Sequence, residues 1–162
     1  RMFESLREAA EALSREAGWS SPVFDEDGCC RYALEDGLEL ALLSPDGRAL
    51  LLRADLGEAP DLQGPDAYAA TERWRTVGML AAASMRARRS TLGAADGRLE
   101  LYRLLSLDRC TSESLAQEAG DFLNDEAWWR ERLSGEAPGA SGASPFSAFS
   151  MPSSSWFTGN PY

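Results

Sequence analysis

Side chains able to do chemistry are few in this chain, and their spacing does not point to catalysis. Histidine is absent, and all sixteen basic residues are arginine. The side chain that most often moves protons near neutral pH is therefore missing, which excludes a Ser-His-Asp site, a Cys-His site or a His-ligated metal within the chain. The neighbouring carboxylates Asp25, Glu26 and Asp27 are the kind of cluster that an enzyme could use, with or without a divalent ion. The alternative is an acidic turn leading into Asp27-Gly28. Cys29, Cys30 and Cys110 make an odd count without zinc-type spacing, and two adjacent cysteines in a strand point to opposite faces. They read as reduced, partly buried thiols in a reducing compartment. No catalytic residue, metal site or cofactor is assigned.

What remains is a scaffold. Sixteen basic against 26 acidic residues give a net charge of −10, which repels a phosphate backbone and argues against nucleic acid as a partner. At 162 residues and 44% hydrophobic content the chain suits one domain with a real core. No apolar run approaches the length of a membrane span, so a soluble, cytoplasmic protein with no membrane partner is expected.

The elements follow from periodicity. Met2, Phe3, Leu6, Ala9, Ala10, Leu13 and Ala17 recur at helical spacing before Gly18, predicting an amphipathic helix. Three Asp-Gly pairs (27–28, 36–37 and 46–47) then punctuate short apolar runs, the signature of an antiparallel meander. Three-residue loops at Glu35-Asp36-Gly37 and Pro45-Asp46-Gly47 set a register. Leu34 faces Leu38, Tyr32 faces Leu40 and Cys30 faces Leu42; across the second turn Leu42 faces Leu50, Leu40 faces Leu52 and Leu38 faces Ala54. One face is continuously apolar. The other carries Arg31, Ala33, Glu39, Ala41, Leu43, Ala49, Leu51 and Arg53, with Glu39 opposite Arg53 as a cross-strand ion pair.

After a Pro/Gly-rich connection, Asp66 caps a middle helix in which Trp74, Val77, Gly78, Ala81, Ala82 and Met85 lie on or near one side. The small residues leave a seam where a second backbone can approach, so this set is expected to form a homodimer contact. Asp96-Gly97 predicts a further hairpin whose second strand alternates Leu99, Leu101 and Arg103. Thr111 then caps a last helix with Leu115, Ala119, Phe122, Leu123, Trp129 and Leu133 as its apolar set. Residues 134–162 change to Ser, Gly, Ala and Pro and form a tail to the domain of residues 1–133. The tail is either a plain spacer or, given Phe146, Phe149, Met151, Trp156, Phe157 and Tyr162, a docking peptide that reaches the exposed sheet face.

In this order of elements, and in "LEDGLELALLSPDGRALLLRADLG", "STLGAADGRLELYR" and "EAWWRERL", the chain resembles the class I type III secretion chaperones of the Tir-chaperone-like (CesT-type) group. The resemblance covers roughly residues 2–133 and implies an α+β fold with one twisted antiparallel sheet, helices packed on it, in a dimer. It also implies binding of the N-terminal segment of a secreted effector without catalysis or cofactor, the half-apolar sheet face being the partner-binding surface. An immunity-type or adaptor protein that caps a toxin or enzyme is the alternative. The long tail and the Ala-rich middle helix depart from the group's pattern.

Overall fold

Ser5 opens the first helix by accepting the Glu8 N–H, and Gly18 closes it in the left-handed conformation at φ 72°. Between them α1 (Leu6–Ala17) buries Ala9, Ala10, Ala12, Leu13 and Ala17. Met2 and Phe3, both expected on the same stripe, precede the helix; Phe3 is buried and Met2 is exposed. The computed structural model describes residues 2–134; the tail residues singled out from the sequence, Phe146 to Tyr162, lie outside the described residues.

Six strands follow: β1 (Val23–Phe24), β2 (Cys30–Ala33), β3 (Glu39–Leu43), β4 (Ala49–Glu58), β5 (Thr91–Ala95) and β6 (Arg98–Ser106). They form one antiparallel sheet in the order β1-β2-β3-β4-β6-β5. The middle helix α2 (Ala67–Ser84) lies between β4 and β5 in sequence, and α3 (Ser112–Leu133) ends the described chain. Asp66 caps α2 and Thr111 caps α3, as their sequences predict. The meander of three strands is thus the centre of a larger sheet, extended at one edge by short β1 and at the other by the β5–β6 hairpin. That hairpin turns on Asp96 and Gly97, both left-handed at φ 52° and 74°, the two-residue geometry whose twist matches its strands.

The β2–β3 register is the predicted one, with Cys30 opposite Leu42 and Tyr32 opposite Leu40. The β3–β4 register is corrected by two residues. Ala41, Leu42 and Leu43 face Arg53, Leu52 and Leu51, in place of the predicted Leu42–Leu50 and Leu40–Leu52 pairs. The cause is Asp46, whose Oδ1 accepts the Arg48 and Ala49 N–H groups at 2.9 and 2.7 Å while Ser44 Oγ donates to Ala49 O at 2.7 Å. These side-chain bonds hold a wider loop than a three-residue turn. A slip of two keeps every side chain on its predicted face, where a slip of one would have inverted the strand. It does break the predicted Glu39–Arg53 pair. Arg53 stands opposite Ala41 and Glu39 Oε1 accepts the Asp55 N–H at 3.3 Å.

The core lies between one sheet face and helices α1 and α3. Leu40, Leu42, Leu50, Leu52 and Leu101 meet Leu13, Leu115, Phe122, Leu123 and Trp129, all fully buried. Tyr32 crosses this layer to donate its hydroxyl to Ala10 O at 2.6 Å, and Ser14 Oγ lies 3.0 Å from the same hydroxyl.

Candidate partner-binding surface

The sheet face turned away from α1 and α3 is built in rows, because neighbouring strands bring paired residues to the same side. One row is apolar throughout: Leu43 pairs with Leu51, and Leu51 with Leu104. Leu43 and Leu51 are half-buried and Leu104 is 67% exposed. The next row crosses all six strands, from Val23 through Arg31, Ala41, Arg53 and Tyr102 to Thr91. Ala49, facing Ser106, flanks the apolar row on the other side. Towards the opposite end the face becomes charged. Ala33 faces Glu39 and Asp55 faces Glu100, while Arg98 binds both Asp55 oxygens at 3.1 and 2.6 Å.

Each residue singled out from sequence can be placed on this face. Arg31, Ala33 and Glu39 are exposed; Leu43, Ala49, Leu51 and Arg53 are half-buried; Ala41, small and enclosed by its row, is buried. Arg31 Nε binds Asp25 Oδ2 at 3.1 Å. The Asp25 carboxyl is held below its ordinary range chiefly by the Cys29 N–H, and also by Arg31 and the Asp27 N–H. The acidic cluster is therefore organised as a turn around Asp25. Tyr102 and Leu104 belong to the same face but were not expected there, because nothing local says that β6 returns past α2 to lie beside β4. The alternation of Leu99, Leu101 and Arg103 does carry the signal, since it sends Tyr102 and Leu104 to the other side. Tyr102 lays its ring across Gly93, where an added Cβ would meet the ring at 2.8 Å, and its hydroxyl donates to Glu100 Oε2.

The face also opens at the β1 edge. Only Arg31 and Cys30 of β2 have β1 partners. Beyond them lies a cleft of about 530 Å³ lined by Trp19, Val23, Tyr32, Ala33 and Leu34, among others, with Trp19 stacked at a tilt on Tyr32, centroids 5.1 Å apart.

The predicted α2 set divides between two parallel stripes. Trp74, Val77 and Ala81 belong to the inward one. Val77 is buried, Ala81 packs against the core, and Trp74 donates its indole N–H to Pro60 O at 2.9 Å. Gly78, Ala82 and Met85 belong to the outward stripe with Tyr68, and all four are exposed, Tyr68 at 78% and Met85 at 82%.

Beneath the sheet ends sits a charged core that the sequence did not disclose. Asp125 of α3 is buried and accepts from Arg88 Nη1 at 3.0 Å, Arg103 Nη2 at 3.0 Å, Ser90 Oγ at 2.5 Å and Ser90 N at 3.3 Å. Arg103 also reaches Glu118 at 2.8 Å. At the next position of the helix, Glu126 Oε1 accepts from Glu39 N at 3.1 Å and Arg130 Nε at 2.9 Å, while Arg130 Nη2 donates to Asp55 O at 2.8 Å. Burial pushes the Glu126 carboxyl up to about 7 against these contacts. The three cysteines are free and buried, and burial raises the Cys30 thiol to about 11. Among the described residues no group of three or more His, Cys, Asp or Glu side chains is placed to hold a metal ion, and no helix is long and apolar enough to cross a membrane.

The structure is a helix-backed antiparallel sheet with one half-apolar face turned away from the core. Residues 8–130 match the family model described as the Tir chaperone protein (CesT) family, and the chain belongs to that family. No curated protein sequence matches it. Among solved structures it is similar to a chain of the HopA1–SchA chaperone–effector complex, at 20% identity and TM-score 0.56, covering 76% of this chain and 91% of that one. It is likewise similar to a chain of the ExsC–ExsE complex, at 19% identity and TM-score 0.59, covering 82% and 99%. A third likeness is to the structure of the Yersinia pestis type III secretion chaperone SycH with a fragment of YscM2, at 11% identity and TM-score 0.53, covering 76% and 98%.

Proposed function

We propose that this protein is a cytoplasmic bacterial type III secretion chaperone, a homodimer that holds the N-terminal segment of a secreted effector extended and soluble until export, without catalysis. Family membership supplies the class, and the observation that carries the site is the Leu43–Leu51–Leu104 row. It is a ready set of apolar contacts on an otherwise charged protein, bordered by the row of Arg31 and Arg53 with Glu39 one row beyond, and it suits an extended chain with apolar anchors. The outward stripe of α2, with Gly78, Ala82 and Met85, supports a contact between two copies. The test is co-expression with the products of neighbouring reading frames, affinity capture and limited proteolysis. A protected N-terminal fragment of a captured protein supports the reading, and capture only of an intact folded domain overturns it.

A further inference from the structure

Strand β6 outlasts its outer neighbour. β5 pairs with residues 98–102 of β6, whereas β4 pairs with 98–106. Arg103, Leu104, Leu105 and Ser106 therefore have a strand on one side only among the described residues. The cause is the charged core. The chain leading into β5 is held down on α3 by Arg88 and Ser90, both bound to Asp125, so it leaves the sheet at Thr91 instead of continuing along β6. The Leu107 N–H donates to Arg48 O on the β4 side at 2.8 Å. By alternation, the main-chain groups of Leu104 and Ser106 point to the vacant side. Openings of about 260 and 390 Å³ flank this edge. Both include Leu104 and Leu105, the first also Arg89, Thr91 and Glu118, the second Arg48 and Arg109. An unpaired strand edge that carries an exposed leucine is a template for another strand, and proteins generally cover such edges.

We propose that the occupant is this chain's own segment Phe146–Met151, docked as an added strand against Leu104–Ser106 of β6. The segment "FSAFSM" is uncharged, bounded by Pro145 and Pro152, and long enough to pair with a four-residue edge. Phe149 and Met151, two residues apart, would share one face of such a strand, beside Leu104. Reach is sufficient. The 22-residue α3 is about 33 Å long and runs back from the vacant edge, and Phe146 follows Ser134 by twelve positions, about 40 Å when extended. Docking at this edge covers the end of the Leu43–Leu51–Leu104 row; that an effector displaces it rests on the proposed chaperone role, while the docking itself does not.

Amide hydrogen exchange on the full chain tests this. Leu105, bonded towards β4, is the internal control. The Leu104 and Ser106 amides should exchange about tenfold faster in Ala148→Pro, and also in Phe149→Asp combined with Met151→Asp, than in the unaltered chain, with Leu105 unchanged. A synthetic peptide of residues 145–152 added to either variant should restore the protection. Equal, fast exchange at Leu104 and Ser106 in all three proteins overturns the proposal. So does protection that survives both variants and rises with protein concentration, which would assign the edge to a second copy.

Discussion

Arg103 of β6 and Asp125 of α3 are paired at 3.0 Å with both side chains buried. Arg103 falls on the core-facing parity of its strand, after Leu99 and Leu101, so a guanidinium occupies a place where an aliphatic side chain would be expected. Removing one partner leaves buried charge uncompensated, which costs more than the pair itself contributes. Asp125→Ala should therefore destabilise the protein by about 3–5 kcal/mol in urea unfolding. Adding Arg103→Met should recover part of the loss. A cost below about 1 kcal/mol for Asp125→Ala would mean that water or Glu118 already neutralises the site.

Leu51 and Leu40 separate binding from folding. Leu51→Asp and Leu43→Asp place a carboxylate on the face away from α1 and α3, and both proteins should keep their circular dichroism spectrum while losing affinity for an effector segment. Leu40 is buried against α1 and α3, and Leu40→Asp should unfold the protein, since an unpaired buried carboxylate costs several kcal/mol, on the order of the whole stability margin. An unfolded Leu51→Asp beside a folded Leu40→Asp would invert the assignment of the two faces.

The elements were legible because each has a local cause: the 3.6-residue stripe of α1, the Asp-Gly turns, the caps at Asp66 and Thr111. The β3–β4 register was not, because it depends on Asp46 accepting two N–H groups, which widens the loop without changing composition. The faces are the expected ones all the same, since a shift of two residues is even. Tyr102 and Leu104 were missed because placing β6 beside β4 is a non-local pairing that spans all of α2. The charges at 125 and 126 were hidden by their types, although Asp125 follows Phe122 by three and Glu126 follows it by four, on the buried stripe of α3.

The two α2 stripes make different predictions for the same kind of substitution. Ala82→Arg lies on the outward stripe and should yield a folded monomer in sedimentation, because a charge enters a seam built of small residues. Ala81→Arg, facing the core, should lower stability as well. A wild-type protein that sediments as a monomer at tens of micromolar would remove the α2 contact from consideration.

Glu126 gives stability a slope in pH. Its folded-state carboxyl is raised from the usual 4.5 to about 7 by burial, and Oε2 has no hydrogen-bond partner among the described residues. The folded chain thus holds this proton more tightly than the unfolded chain does. Its contribution is fully present below pH 4.5 and is lost as pH rises to about 7, beyond which it is constant. The difference amounts to about 3 kcal/mol. Glu126→Gln keeps an oxygen for the Glu39 N–H and removes the titration. Glu39 and Asp55 on β3 and β4, and Arg130 on α3, face the site equally in both proteins. The stability of the Gln variant relative to wild type should rise by about 3 kcal/mol between pH 4.5 and 8, followed by urea unfolding at each pH. A flat difference across that range would show that Glu126 is ionised throughout and held by Arg130.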